Sequence, residues 1–375
     1  MRIVFWQNCL SPHQLPYIVH LLDDERVDKV IIATGEAVSE ARKNMGWEVA
    51  QIPGLERCEV YLNPMPQTID FLLSDRPDDS YHLFSGIRSF QFVFDAFKKS
   101  LKYNLKRGLI TERPNTFAFG RANGKPLWAH RIRFLLQDRR FTPYVQCVFA
   151  MGEEAVDYFH SVCKRWKVFP FAYCTDLLES LSSSSIRREA GLVFVGSLSW
   201  WKAPIDILKS VACLSSNSYH INFIGDGPER NKMEHFIRQH KLTENVSLLG
   251  TKPNSEISSI LSQHDVLVLP SIYDGWGAVV NEALQCGLYV ICSDSCGAKE
   301  LLTDTRCGKV FQSGNDKELS QIMQYCIEHI TEIRANRRFR QLWAERCIGG
   351  KVIASYMVDC LEGKKTERPW FKVNK

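Results

Sequence analysis

Short runs of β-branched and aromatic residues recur along the whole chain, each followed by a longer stretch of helical character. That alternation most restricts the fold, because strand–helix–strand units bury their apolar faces best around parallel sheets. Ile3–Trp6, Lys29–Thr34, Tyr81–Phe84, Lys106–Thr111 and Gln146–Met151 read as strands of a first series. Pro16–Asp23, Ile87–Tyr103 and Pro126–Asp138 read as helices between them, the last carrying Arg131, Arg133, Arg139 and Arg140. A serine-rich break at Asp176–Ala190 reads as a connection between domains. The alternation then resumes with Leu192–Gly196, His220–Gly225, Val246–Leu249, Val266–Pro270 and Tyr289–Ser293. The expectation is an α/β chain of two Rossmann-like parallel-sheet domains. Their expected bounds are 1–172 and 173–346, followed by a C-terminal helix and tail over 347–375.

Composition narrows the function. The 375 residues carry 47 Lys+Arg against 42 Asp+Glu, a formal charge of +5, which argues against a nucleic-acid binder. No run reaches the roughly 18 apolar residues of a membrane span. Met1–Gln7 is too short an apolar run for a leader and reads as a first buried strand. Several of the 13 cysteines, such as Cys147, Cys286 and Cys326, lie in apolar runs where thiols serve packing, which suits a reducing cytoplasm. Cys292, Cys296 and Cys307 fit no common zinc spacing, and no metal site is expected. The helical Ile348–Leu361, followed by Lys364, Lys365, Arg368, Trp370 and Phe371, reads as a docked helix with a frayed end. The alternative reading of that tail is an anchor at a membrane interface.

The chemistry concentrates in the second series. Val266–Leu269 is a buried strand, Pro270–Gly277 a glycine-bearing loop, and Ala278–Gln285 a helix closed by Gly287. Loops of this kind sit at strand ends where open parallel sheets bind ligands. Asp274 lies in the loop and Glu282 two helical turns further on. Two acids beside backbone amides that favour anions make sense when each accepts from a hydroxyl, and sugars are the obvious donors. Gly196, Ser197 and Lys202 follow a second strand, where a lysine suits a diphosphate. A third strand ends in Gly225-Asp226-Gly227-Pro228.

Taken together, Leu192–Leu302 resembles the donor domain of retaining glycosyltransferases of the GT-B fold, family 4 (glycosyl transferase group 1), of the bacterial surface-polysaccharide type. The resemblance implies two domains facing a cleft, with the helix and tail over 347–375 returning to the first, and transfer, with retention, from a nucleoside-diphosphate sugar. The acceptor would be a glycan or lipid-linked saccharide, and the protein would work without cofactor or metal, in the cytoplasm or peripherally at the inner face of the membrane. By position, Lys202 would contact the diphosphate, Asp274 the donor sugar and Glu282 the ribose. Gly196, Ser197, Gly225, Gly227, Gly275, Trp276, Gly277 and Val280 would complete the donor site. His13, His82, Glu112, His130 and Arg131 are candidates for the acceptor or sugar cleft. The sequence departs from the family pattern in Asp274, where relatives carry Glu, and in Ser197, where they carry Arg. Its first loop, Gln7–Gln14, lacks the relatives' glycine pair. Two other readings stay open: a catalytically silent nucleotide-sugar-binding protein, and a GT-B nucleotide-sugar epimerase. A dinucleotide-dependent enzyme is disfavoured, because no G-x-G-x-x-G follows the first strand.

Overall fold

The structure is a computed structural model that describes residues 1–38, 40–43, 53–116, 126–176, 189–215 and 218–371. Most of the expected inter-domain connection, 177–188, lies outside them. The chain divides into two compact units, the first drawn from 1–38, 53–174 and 349–371, the second mainly from 175–348.

The first unit is built on a seven-stranded parallel sheet. Its strands are β1 (Arg2–Gln7), β2 (Lys29–Thr34), β3 (Glu59–Leu62), β4 (Ser80–Phe84), β5 (Lys106–Glu112), β6 (Cys147–Met151) and β7 (Lys167–Phe171). Their order is β3-β2-β1-β4-β5-β6-β7. Central β1 is buried at every residue, Arg2 included. The Arg2 guanidinium donates to the carbonyls of Asp75 at 2.5 Å and Leu72 at 3.1 Å, which offsets the cost of burying a charge. Trp6 stacks on Phe84 with ring centroids 5.9 Å apart. The late helix Gly350–Leu361 packs into this unit: Tyr81 Oη donates to the Leu361 carbonyl at 2.9 Å, and Tyr356 Oη to the Pro170 carbonyl at 2.9 Å. The tail follows it. Trp370 is buried edge-on to Tyr356 and Arg368 reaches Glu153 at 3.0 Å, while Lys364, Lys365 and Phe371 stay exposed.

The second unit holds a six-stranded parallel sheet of β8 (Ala190–Val195), β9 (Tyr219–Ile224), β10 (Val246–Gly250), β11 (Val266–Leu269), β12 (Tyr289–Ser293) and β13 (Gly308–Phe311). The order β10-β9-β8-β11-β12-β13 makes the chain wind outward in one direction from β8 and in the other from β11. The loops leaving β8 and β11 therefore part, and the gap between them is where this sheet type accepts a ligand. The first sheet has the same switch between β1 and β4. Twelve of the thirteen cysteines are buried, Cys213 being the exposed one, as their packing role requires. No helix among the described residues is long and apolar enough to cross a membrane.

Candidate functional site

Four strand-end loops of the second unit converge at its switch point. The β8 loop carries Gly196, Ser197 and Lys202 into the helix Pro204–Val211, and the β11 loop carries Asp274. The carbonyl of Trp201 accepts from the backbone N–H of Ile272 at 2.8 Å and of Tyr273 at 3.3 Å. This stitch fixes the residues just before Lys202 and Asp274 side by side. The Lys202 ammonium then donates directly to Asp274 Oδ2. Both side chains are mostly covered, at 22% and 11% exposure, so the pair is shielded without being sealed from solvent.

The loop after β12 supports Asp274 from below. Asp274 N–H donates to the Ser295 carbonyl at 3.2 Å, Gly297 N–H to the Asp274 carbonyl at 3.1 Å, and Ala298 N–H to the Trp276 carbonyl at 2.7 Å. Gly297 permits this approach, since a Cβ there would collide with the Gly275 carbonyl oxygen and lie 3.0 Å from Trp276 Cα. Gly277 has φ +88°, and a Cβ there would meet Cys296 Sγ at 2.6 Å. The Cys296 thiol donates to the Trp276 carbonyl at 3.0 Å. Hydrogen bonding with Cys292, then burial, holds that thiol well above the ordinary thiol range and therefore neutral.

Trp276 itself turns inward. It is buried, and its Nε1 donates to Asn281 Oδ1 at 2.8 Å, tying the loop to the helix Val279–Gln285. Val280 is also fully buried, so both can offer a ligand only backbone. Glu282 is half-buried on that helix. The helix closes as its glycine predicts: Leu288 N–H reaches back to the Ala283 carbonyl at 2.8 Å, with Gly287 at φ +79°.

The β9 loop presses on the β8 loop. Leu198 N–H donates to the Asp226 carbonyl at 3.0 Å and Glu229 N–H to the Leu198 carbonyl at 2.9 Å. A Cβ on Gly225 would run into the Gly196 carbonyl, and one on Gly227 would lie 2.6 Å from that of Leu198. These glycines thus bring two loops into backbone contact. The structure unites Gly196, Ser197, Lys202, Gly225, Gly227, Asp274, Gly275 and Gly277 in one set of touching loops.

The candidates in the first unit fare differently. His13, in the β1 loop, and Glu112, ending β5, converge on Tyr173, just beyond β7. The Tyr173 hydroxyl donates to Glu112 Oε1 at 3.0 Å, and its ring lies 6.4 Å from that of His13. Tyr173 was not legible from sequence, since nothing local marks a tyrosine after an edge strand. His82 must be corrected: it lies in β4 with no exposure, and its Nδ1 accepts from Trp6 Nε1 at 3.2 Å. Burial first, then the charges of Arg2 and Arg107, pushes its pKa down to about 3, so the ring is a neutral core group rather than a cleft residue. His130 and Arg131 share the helix Leu127–Arg133, His130 half-buried and Arg131 exposed.

Likenesses to known proteins bear on this geometry. Residues 182–339 match the family model for glycosyl transferases group 1. The match covers less than half of the chain, and over that segment the chain resembles the glycosyl transferases of group 1. The matched segment contains the β8, β9, β11 and β12 loops just described. The chain is 25% identical over 171 residues to the gpi3 subunit of phosphatidylinositol N-acetylglucosaminyltransferase from Schizosaccharomyces pombe, covering 44% of this chain and 37% of that protein. It is 30% identical over 165 residues to 2-deoxystreptamine glucosyltransferase of Streptomyces kanamyceticus, covering 42% and 41%. The chain thus spans less than half the length of these curated relatives. Across both units the fold matches the crystal structure of Anabaena Alr3699/HepE in complex with UDP and glucose. The TM-score is 0.69 at 16% identity, covering 97% of this chain and 100% of that one. The two parallel-sheet units have the GT-B architecture.

Proposed function

We propose that the protein is a glycosyltransferase that moves a sugar from a nucleoside-diphosphate sugar to a glycan or lipid-linked saccharide, with retention, in polysaccharide biosynthesis. It would act in the cytoplasm and peripherally at the membrane's inner face. The observation that carries the reading is the Lys202–Asp274 pair at the switch point of the group 1 domain. A cation and an acid held in contact there are the two groups that a diphosphate sugar needs at its junction. As the glycosidic bond to the diphosphate breaks, negative charge gathers on the phosphate oxygens, and Lys202 is placed to balance it. Asp274 accepts from the sugar hydroxyls and Glu282 from the ribose. Backbone groups of Gly196, Ser197 and Gly275–Gly277 line the approach. The first unit supplies the acceptor side, with His13, Glu112 and Tyr173 as the polar cluster that meets it. The relative crystallised with UDP and glucose supports testing UDP first.

The experiment is a binding panel of UDP, GDP, ADP, TDP and CMP, followed by turnover of the matching sugar donor. One diphosphate should bind, its sugar should be transferred to an added acceptor, and Lys202→Ala should weaken both. Binding without transfer to any acceptor, or donor conversion without an acceptor, would replace this reading with a silent binder or an epimerase.

A further inference from the structure

We propose that the helical segment 127–140 of the first unit docks on an anionic lipid surface. It consists of the helix Leu127–Arg133, a π-helical turn over Phe134–Asp138 and the start of a 3₁₀ stretch. Its inner stripe is conventional. Phe134 and Phe141 are buried, packing edge-on against Trp166 at 5.5 Å and Phe97 at 5.4 Å. Its outer stripe is not. Trp128 is 62% exposed, Ile132 47%, Leu135 51% and Leu136 80%.

A single exposed leucine means nothing on a soluble protein. Four large apolar side chains at helical spacing over about two and a half turns form a continuous strip, and strips of that kind mark an occupant. Charge tells which occupant. Between residues 126 and 146 the sequence holds Arg131, Arg133, Arg139 and Arg140 against one acid, Asp138. Asp138 is already engaged by Arg88. Arg131, Arg133, Arg139 and Arg140 are all exposed, so the strip is flanked by cationic side chains long enough to reach headgroup phosphates while the apolar ones enter below them. Tryptophan and leucine beside arginine on a helix without a partner face is the composition of an interfacial element, which lies in the membrane plane and does not span it. The inference deepens the peripheral-membrane part of the proposed function and rests on it only for the location of the acceptor. It requires nothing of the donor loops.

The test is co-sedimentation of the full chain with phosphatidylcholine vesicles, with and without phosphatidylglycerol. Wild type should pellet with the anionic vesicles and not the neutral ones. Trp128→Ser combined with Leu136→Ser should lower partitioning about tenfold or more, because two large apolar groups no longer leave water. Arg139→Gln with Arg140→Gln should lower it about fivefold per charge and flatten its salt dependence. All these side chains point outward, so melting temperature and UDP binding should stay at wild-type values. That control separates loss of docking from loss of the donor site. Equal pelleting of wild type and the apolar variant would overturn the proposal. So would a wild-type oligomer that the apolar variant dissociates without any vesicle binding, which would assign the strip to a protein partner.

Discussion

The Lys202 ammonium and the Asp274 carboxylate are hydrogen-bonded to each other although 72 residues separate them in the chain. Without a ligand, the cation is thus already neutralised by an acid. Under the proposed function, a diphosphate would compete with Asp274 for Lys202, and the sugar hydroxyls would compete with Lys202 for Asp274. Lys202→Met should therefore weaken UDP binding by about tenfold, the loss of one charge-assisted contact. Asp274→Asn should leave UDP affinity unchanged or raise it, since the lysine is released, while turnover falls by about a hundredfold or more. Calorimetric titration with UDP and turnover on the donor sugar measure the two effects. Equal loss of UDP binding in both variants would mean that the pair holds the loops together and contributes no ligand groups.

Gly297→Ala tests the loop geometry without touching a charged group. Its Cβ would press on the Gly275 carbonyl and on Trp276 Cα. The β11 and β12 loops would have to separate, at a cost of about 1–3 kcal/mol. The expected outcome is a lower melting temperature together with weaker UDP binding, both measurable on the same sample by thermal shift.

His82 sets an acid limit on stability. Its folded-state pKa is depressed to about 3, below the unfolded value near 6.5, so the unfolded chain binds the extra proton between those values. Stability falls as pH drops through that window, by up to roughly 3 kcal/mol at pH 4 from this group. His82→Gln keeps an acceptor for Trp6 Nε1 and removes the titration. Urea melts at pH 6.5 and pH 4.5 should show a smaller stability loss for the variant than for wild type, whatever its stability at neutral pH.

Arg340 is a structural cation of the second unit. Buried, it donates to the carbonyls of Gly287 at 2.8 Å, Arg306 at 3.0 Å and Ile333 at 2.5 Å. Burial, the leading cause, lowers its pKa to about 10, which still leaves it charged at neutral pH. Arg340→Met fills much of the same volume but leaves three carbonyls without that donor, and should cost at least about 3 kcal/mol. Denaturant titration checks this, and UDP affinity of the remaining folded fraction should be unchanged.

What the sequence disclosed follows from burial. Each interior strand announces itself as an apolar run, and Val266–Leu269 and Tyr289–Ser293 were legible for that reason. Three strands that were not, β3, β7 and β13, all lie at sheet edges. There one side needs no partner, so Glu59 and Lys167 can sit in strands and Pro170 can occupy β7 at no cost to an inner ladder. The β8, β9 and β11 loops were legible because glycines and acids stand at fixed offsets from buried strands. The inward turn of Trp276 was hidden, since its partner Asn281 looks like any helical polar residue. His82 misled for the opposite reason: a histidine close to a strand end resembles a site residue until its neighbours Trp6 and Arg2 are known. The outer strip of 127–140 was masked by its four arginines, among which an exposed Leu136 does not stand out.

The return of Gly350–Leu361 to the first unit bears on biosynthesis. The helix Leu15–His20 and the β1 side of the sheet are translated early, yet the segment that packs with them leaves the ribosome only after the entire second unit. Arg26, which meets Asp359 at 2.7 Å and Glu362 at 2.7 Å, must wait as long for its partners. The nascent first unit therefore carries an open apolar seam throughout elongation, while the second can complete its sheet before termination. A ribosome stalled short of codon 350 would hold a finished second unit tethered to an unfinished first one, and that first unit is where chaperones would be expected to bind.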